Sequence, residues 1–462
     1  MIALLFLITI SLLILKRHIK FLRQNMIYNF LEKNIAACIP ADRWYSSIAV
    51  LRAAKKLNRL PQKCLRQIFA DIKKQKFSSL FKHCEDAELK TICGKKAKPL
   101  SALYKAENSL MKFDFSSCFN LQKQIKPQNK TDQARLLAIE AALSLYDGDL
   151  ESASTKINSA ITIFNKQKMY MEEAQAYMLC GIIYKACALF DPAQLMLQKS
   201  IDLFTQTGAK AKLAEALGNL GMLMVQQNRY DEADDCFNKA LKMFASAKDK
   251  KGMVYVYNQI SISYLIRNDL KSAKKYCKEA QRHIIPSYRS GRALNSDIIA
   301  QIEAAQNKWK NVVKEAHEAE VLYKSAKNFS AMLEMMQLQA QALIKLKKDT
   351  KAEEILRNII KKAKTKQTCF HIANAYNLLG VIFLEKGDSV RAKGLFNQAL
   401  STELYNERWC GAAIDYANIA LTELRNGKKD EYIKNQKIAL EYAKESGDEK
   451  LTKILEQRFS SL

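Results

Sequence analysis

The sequence predicts an all-α fold: a solenoid of about eight helix hairpins, with an apolar helix and a basic helical segment ahead of it. Three observations predict it. Proline (6) and glycine (14) are scarce in 462 residues, which disfavours turn-dense β architectures. A small residue recurs at one slot, Ala141, Gly181, Gly221, Ser261, Ala300, Ala340, Gly380 and Ala420, in steps of 40 residues with one of 39. Two further columns of mostly small residues follow this slot at +12 and +19.

Residues 2–15 are apolar apart from Thr9 and Ser11, and Lys16, Arg17, His18, Lys20 and Arg23 follow at once. A helix of this length covers about 21 Å of a bilayer core of about 30 Å, a gap that tilt and snorkelling of Lys16 and Arg17 narrow. No Lys or Arg precedes the run and no small-residue cleavage site follows it. Residues 1–22 therefore read as an uncleaved membrane anchor with its basic flank, ahead of a cleaved signal or an interfacial helix. Lys16, Arg17, Lys20 and Arg23 would then stay at the cytoplasmic side, beside an anionic leaflet, with the repeats facing the cytoplasm. Eleven cysteines without a C-x-x-C pair agree with a reducing compartment.

Residues 23–98 read as a basic helical segment. Residues 16–130 hold 25 Lys+Arg and 8 Asp+Glu, a net of +17 within a chain total of +27. Residues 46–58 and 62–75 have amphipathic spacing. The loose cluster Lys73, Lys74, Lys76, Lys82, Lys95, Lys96 and Lys98 is either a solvated face or a contact for an anionic membrane surface. Nucleic acid is not favoured, because no RNP, KH or helix-turn-helix pattern accompanies the charge. Residues 99–130 read as a degenerate hairpin that caps the array.

The eight repeats occupy residues 131–448. The +12 column is Ala153, Ala193, Ala233, Ala273, Val312, Ala352, Ala392 and Tyr432; the +19 column is Ala160, Ser200, Ala240, Ala280, Ala319, Ile359, Ala399 and Ala439. Helices approach closely only where side chains are small. The slot thus marks a first helix, +12 a second, and +19 the surface that receives the next repeat. Turn residues fall between them, as in Asp147-Gly-Asp, Arg267-Asn-Asp and Lys386-Gly-Asp. An aromatic stands four before the slot at Tyr177, Tyr257, Tyr376 and Tyr416. The repeats around Ala300 and Ala340 lack both the aromatic and the glycine. The 39-residue step follows Pro286-Ser-Tyr-Arg-Ser-Gly291, which predicts a looser joint there. Residues 449–462 read as a capping helix.

This pattern resembles the tetratricopeptide repeat (TPR), in the long 40-residue variety of kinesin light chain and the Leu-Gly-Asn-repeat scaffolds. The phrases Gly218-Asn-Leu-Gly221 and Tyr376-Asn-Leu-Leu-Gly380 carry the likeness, which covers residues 131–450. The resemblance implies a right-handed superhelix whose groove is lined by first helices, at positions six before, three before and one after the slot. The six-before position holds Tyr255, Glu334 and Asn374. The three-before position holds Asn258, Asp297, Gln337 and Asn377, and the one-after position holds Gln301 and Gln341. Amides both donate and accept, so such a ladder suits the backbone of an extended peptide; the competing reading is a row of solvated helix residues.

Chemistry is otherwise sparse. The sequence has no P-loop, H-E-x-x-H or G-x-S-x-G motif, and Gly218 and Gly221 lie inside a helix. Cys180 and Cys187 read as core residues, and Cys369 with His371 lacks an orienting third group. No catalytic residue, metal ligand or cofactor is assigned, and an enzyme is not expected. The sequence therefore reads as a membrane-anchored adaptor that binds a protein or peptide segment. The alternative is a peptide-sensing or nucleic-acid-associated regulator.

Overall fold

A computed structural model describes residues 103, 106–107, 109–110, 115–127, 129–286, 288–326, 328–363 and 369–460. The anchor and basic-segment readings, with Lys16, Arg17, Lys20 and Arg23, lie outside the described residues. After α1 (Phe115–Gln122) come four hairpins: α2 (Lys130–Tyr146) with α3 (Leu150–Lys166), α4 (Tyr170–Ala186) with α5 (Phe190–Thr207), α6 (Lys210–Gln226) with α7 (Tyr230–Ser246), and α8 (Lys250–Ile266) with α9 (Leu270–His283). Four more follow: α10 (Arg289–Ala305) with α11 (Trp309–Ser325), α12 (Phe329–Lys345) with α13 (Asp349–Lys362), α14 (Cys369–Glu385) with α15 (Ser389–Tyr405), and α16 (Trp409–Arg425) with α17 (Lys429–Glu445). Helix α18 (Glu449–Ser460) packs on α17. The fold is all-α, a solenoid of helices packed pairwise in sequence order.

Two compact units divide between Tyr288 and Arg289, each with four hairpins. The division falls inside the segment of the short repeat step. Helix α9 runs 14 residues where α7 runs 17. Pro286 explains the early stop, because the residue before a proline is pushed out of helical geometry.

The three small-residue columns are the helix contacts. Every slot residue is buried, and the +12 and +19 columns are fully buried except for the half-buried Tyr432. Each glycine in the slot faces a large side chain sixteen residues later. A Cβ on Gly181 would lie 2.7 Å from Leu197, one on Gly221 2.6 Å from Phe237, and one on Gly380 2.5 Å from Phe396. Where the slot is Ala or Ser, the +16 residue is Ile157, Cys277, Ala316, Leu356 or, in the last hairpin, Gln436. Volume on the second helix is thus traded against volume on the first, as close packing requires. A second buried column at +23 holds Phe164, Phe204 and Phe244 in the first unit.

Side-chain caps start several helices: Asp149, Asp249, Asp269, Asn328 and Asp388 each accept a backbone N–H of the first turn. Helix exits use left-handed residues. Glycine takes this role at 148, 208, 387, 427 and 447, but Lys168, Ala188, Lys248, Lys347 and Glu407 also hold φ between 52° and 58°. A Cβ costs about 1–2 kcal/mol in that conformation. Ala188→Gly should therefore raise the stability of the first unit by about 0.5–1 kcal/mol, after the larger unfolded-state entropy of glycine is subtracted. An unchanged or lower urea midpoint would contradict this. Among the described residues, no helix is long and apolar enough to cross a membrane.

Candidate functional site

The first helices of the first unit enclose a cavity of about 540 Å³. Its wall follows the three columns named from the repeat register. The six-before position supplies Arg135, Gln175, Glu215 and Tyr255; the three-before position supplies Ala138 and Met178; the one-after position supplies Ala142 and Ile182. Phe164, Phe244 and Tyr288 complete the wall, with Glu107 and Leu110 from the segment ahead of α1. The lining is mostly apolar. Sites of about 300–1,000 Å³ with this balance enclose most of a small ligand.

Two ion pairs lie in the wall. Arg135 donates through Nε to Glu107 Oε1 at 2.7 Å and also contacts Oε2. Lys212, almost wholly buried, donates to Glu215 at 2.7 Å. Gln259 Nε2 donates to the Tyr255 hydroxyl at 2.7 Å. Burial, and then the charge of Glu215, raises the Tyr255 phenol, so it stays protonated. The Gln175 Nε2 donor, also in this wall, has no protein partner. An unmade hydrogen bond at such a buried donor costs about 1–3 kcal/mol, which an acceptor on an occupant would recover.

Of the residues named from sequence, Tyr255 lines this cavity. Asn258 is wholly buried instead, so it offers no surface to a partner as α8 stands. The other seven lie on the second unit. Asp297 accepts from Gln301 at 2.8 Å and from the Tyr323 hydroxyl at 3.0 Å. Glu334 is exposed. Asn374 donates to Gln337 at 3.4 Å. Asn377 donates to Asp415 and accepts from Asn418 at 2.7 Å. Gln341 is half-buried. The amides thus form rungs between neighbouring first helices. Arg135, Gln175 and Glu215 are not among the residues named from sequence; reading the six-before column through every repeat finds them.

The cysteines behave as packing residues. Cys180 is buried, its thiol is pushed up to about 11 by burial, and it points at Asn158 Oδ1 at 3.8 Å. His371 is fully buried and driven down to about 4 by burial and the nearby Arg408.

Residues 172–246 match the tetratricopeptide repeat family model. No curated protein matches the chain in sequence. Among solved structures, the apo form of the quorum sensor NprR from B. thuringiensis superposes with a TM-score of 0.52 at 14% identity, over 74% of this chain and 97% of that one. A Rap protein complexed with Competence and Sporulation Factor gives 0.49 at 11% identity, over 83% and 99%. BtubC (BKLC) from P. vanneervenii gives 0.34 at 15% identity, over 48% and 91%. The helix hairpins, their buried small-residue columns and the family model matched over residues 172–246 show a solenoid of tetratricopeptide-like repeats.

Proposed function

We propose that the chain is a receptor for a short protein or peptide segment, taken into the cavity of the first unit, and that it works as a regulator rather than as an enzyme. One observation carries this reading. The six-before residues of four successive first helices, with the three-before and one-after residues of α2 and α4, converge on one cavity, mostly apolar and fitted with a buried unpartnered donor, Gln175. An apolar peptide side chain fills such a space, and backbone carbonyls satisfy such a donor. NprR, which shares the fold, is described as a quorum sensor; reception of a signal segment is the property proposed for this chain.

The test is selection from a random peptide library on the purified chain, followed by titration of the selected peptide. Ala138→Trp puts an indole into the cavity from a half-buried position and should weaken that peptide at least tenfold, about 1.4 kcal/mol. A folded Ala138→Trp chain that binds equally well would rule the cavity out. Membrane anchoring is a second proposal, favoured by the apolar run at residues 2–15 with its basic flank. Chain that leaves the membrane fraction in high salt would contradict an anchor.

A further inference from the structure

Helix α9 differs in charge from the other second helices of the first unit. It carries Lys271, Lys274, Lys275, Lys278 and Arg282 against one acid, Glu279. Helices α3 and α5 mix the two signs, and α7 holds the acids Asp231, Glu232, Asp234 and Asp235. Steps of four, three and four residues lead from Lys271 to Lys275, Lys278 and Arg282. That spacing keeps the four cations on one face, in a stripe about 16 Å long. All four are exposed, and the opposite face buries Ala273, Cys277 and Ala280. Arg282 pairs with Glu279 at 2.6 Å. Lys271, Lys275 and Lys278 make no ion pair among the described residues.

Helix formation does not ask for this charge. The helix dipole favours Arg282 and His283 in the last turn, disfavours Lys271 in the first, and does nothing for the lysines between. Lys271 with Lys275, Lys274 with Lys278, and Lys278 with Arg282 are like charges four apart, a spacing that weakens a helix. The stripe is nevertheless held in place by an aromatic row. Tyr257 of α8 stacks on His283 at 5.8 Å and on Tyr276 at 6.3 Å, and Tyr264 stacks on Tyr276 at 5.4 Å. Arg267 covers Tyr264 at 4.7 Å, and Lys275 lies 5.5 Å over Tyr276. This row fastens α9 to α8 with its lysines turned outward.

We propose that the outward face of α9 is a docking surface for an acidic helix of a partner protein, with Asp or Glu at every third or fourth residue. Charge complementarity sets the sign, because carboxylates relieve the crowded lysines. The neighbouring helix sets the width. Asp231, Glu232 and Asp235 of α7 are exposed, so a broad anionic surface such as a lipid leaflet would meet acids beside the lysines. A single nucleic-acid strand gains affinity by stacking its bases on aromatic faces. The rings beside this stripe already stack on one another. Carboxylates three and four apart on a helix repeat the spacing of the stripe. No residue of α9 lines the cavity of the first unit, so failure of either reading leaves the other standing.

The test is lysine acetylation, mapped by mass spectrometry on the full chain at low salt. The probe is an alanine-based helical peptide with glutamate at those spacings. With the peptide present, Lys271, Lys275 and Lys278 should be protected at least threefold. Lys239 and Lys242 of α7, also exposed, should keep their reactivity. Protection confined to the basic residues 16–98, or equal on α7 and α9, would overturn the proposal. So would stronger protection of the three lysines by an oligothymidine strand or by phosphatidylserine vesicles at equal charge.

A triple variant, Lys271→Gln with Lys275→Gln and Lys278→Gln, removes the free cations and keeps good helix formers. Without peptide it should be at least as stable in urea as the wild type. A lower midpoint would show that the lysines serve the fold and would overturn the proposal. The peptide should raise the urea midpoint of the wild type and leave that of the triple variant unchanged, because only a bound ligand stabilises the folded state. An equal rise in both chains would place the peptide elsewhere and overturn the assignment. The Ala138→Trp chain should show the wild-type protection of α9; loss of protection in that variant would move the acidic peptide to the cavity, with the same consequence.

Discussion

Gly221→Ala will destabilise the first unit, although alanine is the better helix former. Helix propensity alone favours the substitution by about 1 kcal/mol. The added methyl, however, falls 2.6 Å, 2.9 Å and 3.0 Å from three ring atoms of Phe237, which is fully buried on α7. The ring cannot retreat, because Ala233, Ala240 and Phe244 pack in the same cluster. Overpacking of this kind costs about 1–3 kcal/mol, so the net change is a loss that a urea titration of the first unit detects. The chain itself names the rescue. In the sixth hairpin the slot is Ala340 and its partner is Leu356, both wholly buried. Phe237→Leu in the Gly221→Ala background builds that combination into the third hairpin. The double variant should recover most of the loss, with a coupling of about 1–2 kcal/mol between the two sites. A Gly221→Ala chain more stable than wild type would show that the register of small and large residues does not set the helix spacing.

The same pairing explains how far the sequence could be read. Hairpin number, helix order and the buried columns were legible because close helix crossings admit only small residues, and Ala153 or Gly221 declares that in one letter. The partner at +16 was not legible in advance. It holds Phe, Leu, Ile, Cys, Ala and, in the last hairpin, Gln, and in the glycine repeats only the contact with the slot explains the choice. The groove register was legible as positions and much less so as residues. Tyr255 and Asn258 lie three apart on α8, yet one lines the cavity and the other is wholly buried. Backbone periodicity fixes direction to about one side-chain width, whereas burial depends on which neighbour fills the gap. Arg135 and Glu107, 28 residues apart, pair across elements that no local pattern connects.

Buried acids in the second unit make its stability fall as pH rises. Glu403 occupies the +23 column, where Phe164, Phe204 and Phe244 stand in the first unit, and it is 3% exposed. Gly411 makes room for it: a Cβ there would sit 2.3 Å from the Glu403 carboxyl carbon. Asp415 lies one turn further along α16. Burial, and then the charge of Glu403, pushes the Asp415 carboxyl up to about 8, against the hydrogen bond from Asn377. Arg408 stands beside this pair, its Nε 3.1 Å from Glu403 Oε2, and Asn377, which donates to Asp415, accepts from Asn418. The folded chain therefore binds the Asp415 proton more tightly than the unfolded chain does. The stability this proton contributes is complete below about pH 4 and is lost as pH rises through about 8. His371 works in the opposite sense below its ordinary range, because burial keeps it neutral and its protonation must be forced. Asp415→Asn cancels the His371 contribution when variant and wild type are compared at each pH. The amide keeps an acceptor for Asn377 and cannot ionise beside Glu403. The variant should match the wild type at pH 4 and exceed it by about 1–3 kcal/mol at pH 9, the usual cost of an unsatisfied buried polar group. Thermal and urea unfolding of the full chain across that range measure the difference. Parallel curves from pH 4 to pH 9 would mean that water or Arg408 already neutralises the site.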